Sequence, residues 1–136
     1  MTEEVPVKAA KTSFEIINTL RELQGAGVSE LSEQVDKPTS TIHDHLRTLE
    51  SEEYLVKKDG EYYVGTRFLG VGEQARSRYK VFPIASEELD KLAGRTGEHT
   101  NLMIEEHGKG IFLYKARGPD AVQLDTHAGM RVHLQT

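Results

Sequence analysis

Residues 28–64 read VSELSEQVDKPTSTIHDHLRTLESEEYLVKKDGEYYV, and this stretch decides the fold. Apolar residues at helical spacing indicate a short helix, the turn DKP (36–38) ends it, and a second helix is predicted over 39–52. Asp59-Gly60 then separates two strand-like runs and is a strong hairpin signal. Two helices joined by a tight turn and followed by a hairpin predict a winged helix-turn-helix, whose second helix usually enters the DNA major groove.

The predicted helix over 39–52 has an apolar face and a polar face. At about 100° per residue, its apolar side chains fall within a narrow arc that is expected to face the core. These are Ile42, Leu46 and Leu49. The opposite side carries Ser40, Asp44, Arg47 and Ser51, with His43 on its flank. A polar helix face is usually only a solvated surface, but after a tight turn and before a wing it predicts contact with DNA.

An earlier helix is expected to precede this unit. Thr12 and Glu15 fit a capping box, so the helix is expected to begin at Thr12 after a flexible tail. Its buried side is expected to carry the apolar residues that recur at helical spacing. These are Phe14, Ile17, Leu20 and Leu23, with Ile16 beside them.

The second half of the chain has a different pattern. Residues 66–82 predict a linker helix, and a further helix is expected to run from Pro83 to Gly94. Three strand-like runs follow, NLMIEE (101–106), GIFLYKA (110–116) and AVQLDTH (121–127). The predicted fold class is therefore α+β. It comprises a winged helix-turn-helix domain (1–65), a linker helix (66–82) and an incomplete α+β domain (83–136).

The charge distribution is unusual for a protein that binds nucleic acid. The formal net charge of the chain is -5. Residues 1–66 hold seven lysines and arginines against thirteen aspartates and glutamates, a net charge of -6. DNA-binding domains usually carry a basic surface. Two hypotheses therefore stay open: a few basic residues contact DNA within an acidic surface, as suits high salt, or the module binds another protein instead of DNA.

Several functional classes are excluded or disfavoured by composition. The chain has no cysteine, which excludes disulfides and thiolate metal sites. It shows neither a long apolar run nor a secretion signal, so a cytoplasmic location is expected. His43 and His45 lie two residues apart and would point about 200° away from each other on a helix, so they cannot share one metal ion. We expect no metal, no cofactor and no enzymatic activity, because no Gly-x-Ser-x-Gly or dinucleotide-binding unit is present.

Four stretches resemble the IclR family of transcriptional regulators. They are KPTSTIHDHLRTLESEEYL (37–55), YYVGTRFLGVG (62–72), LDKLAGRTGEHTNLMI (89–104) and GMRVHLQT (129–136). The first two are shared loosely with other winged-helix regulators, whereas all four in this order are much more specific. The resemblance implies an N-terminal winged helix-turn-helix and a C-terminal ligand-sensing domain similar to GAF domains. That domain continues well past residue 136 in the family, so we expect this chain to be part of a longer protein.

The resemblance also implies partners and site residues. Members of the family bind double-stranded operator DNA as homodimers or homotetramers and respond to small organic acids. By position, the DNA contacts of the helix are Thr39, Ser40, Thr41, His43 and Arg47, and Lys57 and Lys58 of the wing contact phosphate. Asp44 departs from the family, which often has a basic residue there. An acid repels phosphate but can accept a hydrogen bond from a cytosine amino group. A MarR-like or TrmB-like regulator, and a winged-helix protein-interaction module, are the alternatives.

Overall fold

The computed structural model describes residues 4–123 and 126–134. The elements in chain order are α1 (Lys8–Leu23), α2 (Val28–Val35), α3 (Thr39–Ser51), β1 (Leu55–Lys58), β2 (Glu61–Val64), α4 (Arg67–Ser77), α5 (Val81–Thr96), β3 (Thr100–Glu106), β4 (Lys109–Ala116) and β5 (Arg131–His133). The chain divides after Gly72 into two compact units. This mixture of helices and small sheets confirms the predicted α+β class.

The core of the first unit is built from α1, α2, α3 and the wing. Its fully buried side chains are Ile16, Leu20, Ala26, Leu31, Ile42, Leu46, Leu55 and Tyr62. Ile42 and Leu46 confirm the predicted apolar face of α3, and Leu49 packs at the edge of the same cluster. Burying an aliphatic side chain of this size contributes about 1.5–3 kcal/mol, so these contacts fix the rotation of α3 about its axis.

The first helix differs from its prediction at both its start and its buried face. α1 begins at Lys8, and Thr12 is buried in the helix instead of capping it. The Thr12 hydroxyl donates to the carbonyl of Lys8 (3.1 Å), so the hydroxyl is satisfied within the helix. The predicted core residues Phe14 and Leu23 are 62% and 36% exposed. The predicted residues Ile16, Ile17 and Leu20 are buried, and Thr12 completes the buried stripe.

The wing is a two-stranded antiparallel hairpin that also pairs with the loop between α1 and α2. Asp59 (φ 52°) and Gly60 (φ 80°) form its turn with two left-handed residues, as the Asp-Gly pair predicted. Ala26 and Tyr62 exchange both backbone hydrogen bonds, at 3.1 and 2.8 Å. The pairing attaches the wing to the helical part of the unit.

The second unit places α5 against a three-stranded antiparallel sheet of order β3-β4-β5. The hydroxyl of Thr100 donates to the carbonyl of Leu89 (2.8 Å), and the Tyr114 hydroxyl donates to Asp90 (2.6 Å). The second bond raises the pKa of Tyr114, because the neutral phenol is the form that donates to the carboxylate. Both bonds therefore connect the helix to the sheet.

Three predictions for the second half of the chain were wrong. The predicted linker helix over 66–82 is interrupted, since α4 ends at Ser77 and α5 begins at Val81. α5 continues past Gly94 and ends at Thr96, where Gly97 caps it in a left-handed conformation with φ 76°. The third strand is β5, at residues 131–133, and not the run 121–127. Of that run, residues 121–123 and 126–127 lie outside any strand, and residues 124 and 125 lie outside the described residues. Within the part of the chain that the structure describes, no helix has the length and apolar character needed to span a bilayer.

Candidate nucleic-acid interface

The start of α3 presents free backbone donors. Pro38 precedes the helix in an extended conformation (φ -57°, ψ 147°), and its carbonyl accepts from the N–H of Ile42 at 3.0 Å. Among the described residues, nothing accepts a hydrogen bond from the N–H groups of Thr39, Ser40 or Thr41. Free N–H groups at a helix N-terminus form a favourable environment for a phosphate.

The outward face of α3 carries polar side chains that are open to a partner. Its exposed residues are Thr39, Ser40, His43, Asp44, Arg47, Thr48 and Ser51, whereas Thr41 is half-buried. Ser40, Asp44 and Arg47 lie within an arc of about 60° on the helix surface. Within the described ranges, neither the Asp44 carboxylate nor the Arg47 guanidinium forms an ion pair or hydrogen bond. The two groups are therefore free to contact a ligand.

The inward side of α3 is fixed to α1 by a polar contact as well as by the core. The hydroxyl of Ser13 and Nδ1 of His45 are 2.7 Å apart, and both residues are half-buried. This contact turns His45 toward the protein, while His43 is exposed. The described residues contain no cluster of three or more histidines, cysteines or carboxylates that could hold a metal ion.

The wing tip is less basic than its two lysines suggest. Lys57 and Lys58 are both exposed, and the Nζ of Lys57 lies 5.4 Å from the ring centre of Tyr62. Lys58 pairs in register with Glu61, and Asp59 occupies the turn between them. Two positive charges are thus balanced by two negative charges at the tip. Contact with a phosphate backbone would depend on the orientation of the lysine side chains and not on the net charge of the wing.

The position of the wing depends on a contact between Tyr63 and Gly25. Gly25 has φ 115°, and a Cβ added there would lie 2.3 Å from Cε1 of Tyr63. The Tyr63 hydroxyl donates to Glu61 (3.0 Å), and this hydrogen bond raises the pKa of Tyr63. Neither contact was predicted from the sequence. The glycine in the loop gave the only signal, and it did not identify the ring that packs on it.

Together, a tight turn, a helix with an exposed polar face and a wing define a winged helix-turn-helix domain of the kind found in transcriptional regulators. Residues 10–59 match the IclR helix-turn-helix domain. The helix-turn-helix domain of this chain is therefore of the IclR type, which confirms the resemblance found in the sequence.

One curated relative and two solved structures illustrate the match. The chain is 32% identical over 127 residues to the probable HTH-type transcriptional regulator ArcR of Halobacterium salinarum, covering 92% of this chain and 48% of that protein. The crystal structure of Thermotoga maritima IclR is 25% identical, with a TM-score of 0.75, over 93% of this chain and 52% of that one. An IclR homologue from Microbacterium hydrocarbonoxydans, complexed with 4-hydroxybenzoate, has a TM-score of 0.78 at 19% identity, over 92% and 53% of the two chains. The chain thus spans about half the length of these relatives.

Proposed function

We propose that the chain contributes sequence-specific DNA binding to an IclR-type transcriptional regulator, and that the exposed face of α3 contacts the operator. The observation that supports this most strongly is the contrast between the two sides of α3. Ile42 and Leu46 are fully buried, while the Asp44 and Arg47 side chains are exposed and have no partner within the described residues. A helix held in this way presents its polar side chains to a groove without losing its own packing.

Each candidate residue has a proposed role in this complex. The N–H groups of Thr39, Ser40 and Thr41 would hold phosphate and set the register on the duplex. Arg47 and His43 would reach base edges, and Lys57 and Lys58 would contact the backbone beside the groove. The negative charge of residues 1–66 makes each of these few basic groups more important, because no general basic surface supports them.

The remaining parts of the proposal concern the rest of the protein. We propose domain limits of 1–65, 66–82 and 83–136, with the last range forming part of a GAF-like domain that senses a small organic acid. The relative that is complexed with 4-hydroxybenzoate supports this ligand class. A homodimer or homotetramer in the cytoplasm would bind two operator half-sites. The ligand would favour one spacing of the two winged domains over another. ArcR is named as a probable transcriptional regulator, which agrees with the expectation that the chain is not an enzyme.

The experiment that tests the proposal is selection of bound duplexes from a random double-stranded DNA pool at low and high salt. The parent protein is expected to enrich a motif, and the Arg47→Ala variant is expected to bind that motif more weakly by about 1–3 kcal/mol. Arg95→Ala is the matched control, because Arg95 is an exposed arginine in the last turn of α5. Failure of the parent to enrich any motif would favour the protein-interaction alternative. Equal binding by Arg47→Ala and the parent would remove Arg47 from the site.

A further inference from the structure

Asp44 carries a negative charge at the centre of the surface that is proposed to face DNA. It lies on the same exposed arc as Ser40 and Arg47, and the Thr48 hydroxyl donates to its backbone carbonyl (2.8 Å) and not to its carboxylate. The carboxylate itself forms no ion pair within the described residues, even with Arg47 three positions along the helix. If α3 enters the groove, this carboxylate must therefore lose water without gaining a hydrogen bond or ion pair from the described residues.

The chemistry of the major groove limits what can compensate the carboxylate. An ionised carboxylate only accepts hydrogen bonds, and the phosphates on either side of the groove repel it. The base edges of the major groove offer two kinds of donor, the N4 amino group of cytosine and the N6 amino group of adenine. In adenine the amino group stands beside N7, an acceptor that repels a carboxylate, whereas cytosine has no acceptor on that edge. Cytosine is therefore the favoured partner.

We infer that Asp44 is a specificity-determining residue that selects a cytosine at one position of each operator half-site. The inference rests on the proposed function, since it requires α3 to enter the major groove. The guanidinium of Arg47 lies on the same face of the helix and offsets the repulsion between Asp44 and the phosphates. Asp44 thus lowers the general affinity for DNA and raises the discrimination between bases, because binding is favourable only where a cytosine accommodates the acid.

Motif selection with four proteins tests this inference. The parent is expected to prefer cytosine at one position by about fivefold or more. Asp44→Asn is expected to change that preference to adenine, because an asparagine amide pairs with both N6 and N7 of adenine. Asp44→Ala is expected to accept all four bases there. Asp36→Asn is the control. It removes the same charge from an exposed turn residue at φ 58°, a conformation that asparagine tolerates.

The outcomes separate this inference from the proposed function. Both Asp→Asn variants are expected to bind random duplex more tightly than the parent, because each removes one negative charge, but only Asp44→Asn should change the motif. A motif that is the same for the parent, Asp44→Asn and Asp44→Ala would overturn the inference and leave DNA binding by α3 intact. A parent that enriches no motif would overturn both. Matching circular dichroism spectra and melting temperatures would show that the variants fold, as expected for an exposed side chain.

Discussion

The hydroxyl of Tyr79 donates a 2.5 Å hydrogen bond to Oε2 of Glu106 and so joins the turn after α4 to the end of β3. Arg78 and Arg131 lie 3.6 and 3.9 Å from the same carboxylate. The hydrogen bond from Tyr79, supported by the two arginines, lowers the pKa of Glu106 even though desolvation opposes it. The same hydrogen bond raises the pKa of Tyr79. One carboxylate therefore holds the turn between α4 and α5 and the strand β5.

The Glu106→Gln variant is expected to lower the pKa of Tyr79 toward the ordinary tyrosine value of about 10, because a neutral amide accepts more weakly than a carboxylate. The measurement is the 13C NMR titration of the tyrosine Cζ signals, with Tyr79 assigned from the Tyr79→Phe variant. Glu105→Gln serves as the control, since Glu105 accepts from the N–H of Gly108, whereas Tyr79 donates to Glu106. An identical Tyr79 titration in the parent and in Glu106→Gln would contradict the contact.

The same pair predicts how stability varies with pH. The pKa of Glu106 is lowered on folding, so its contribution to the free energy of unfolding is present above about pH 4.3 and is lost as the pH falls through its folded pKa. The pKa of Tyr79 is raised, so its contribution is present below about pH 10 and is lost as the pH rises through its folded pKa. Urea midpoints across this range should vary less with pH in Glu106→Gln. In Glu105→Gln, the urea midpoints at low pH and at high pH should change as they do in the parent.

The Leu46→Ala variant is expected to lose about 2–5 kcal/mol of unfolding free energy, because Leu46 has 0% exposure and its loss leaves a cavity beneath α3. Leu69→Ala is the matched control: Leu69 is 69% exposed, so its truncation should change stability by less than about 0.5 kcal/mol. Urea unfolding followed by circular dichroism at 222 nm gives both values. Similar midpoints for the two variants would mean that α3 is not held by this core.

The Gly25→Ala variant is expected to destabilise the protein more than Gly60→Ala. Both glycines have positive φ, so an alanine at either position is strained by about 1 kcal/mol or more. At Gly25 the new methyl group would also overlap the Tyr63 ring, whereas no atom of the described residues lies within 4 Å of a Cβ at Gly60. Thermal unfolding of both variants measures the difference. Adding Tyr63→Ala should abolish the excess cost at Gly25, and an excess that persists would locate the strain elsewhere.

The double variant Lys57→Ala/Lys58→Ala is expected to weaken the salt dependence of DNA binding. Each phosphate contact that is lost should reduce the slope of log K against log salt by about 0.9, so two contacts account for about 1.8. Fluorescence anisotropy at several salt concentrations gives the slope. Lys91→Ala/Lys109→Ala removes the same charge from outside the winged helix-turn-helix and should leave the slope unchanged. An unaltered slope in the wing variant would mean that the wing tip does not contact the backbone.

Local sequence signals predicted the elements that carry the proposed site. The spacing of Ile42 and Leu46 identified the buried face of α3, and Asp59-Gly60 identified the hairpin, because both signals act within a few residues. Thr12 was misplaced because its hydroxyl can either cap a helix or bond to the carbonyl four residues earlier, and the two alternatives share one sequence pattern.

The errors in the second unit arose where distant contacts decide the structure. Gly94 and Gly97 are both plausible helix ends, but only Gly97 meets the loop that follows β4, where its carbonyl accepts from the N–H of Asp120 at 3.0 Å. β5 is a strand because its residues pair with the start of β4, about twenty residues earlier in the chain. Short apolar runs have no feature that predicts such a partner. In the first unit, the exposure of Phe14 likewise depends on how α1 packs against its neighbours and not on the spacing of apolar residues along the helix.

The pairing of Ala26 with Tyr62 has a consequence for dissecting this protein. A fragment that stops at residue 59, where the match to the IclR domain ends, would retain Ala26 but lack the strand with which it pairs. The backbone N–H and C=O of Ala26 would lose their hydrogen bonds, and the hydrophobic cluster to which Leu31, Ile42 and Leu46 belong would lose the buried ring of Tyr62. The smallest piece worth expressing therefore extends at least through Gly65, whose N–H closes the base of the hairpin on the carbonyl of Tyr54.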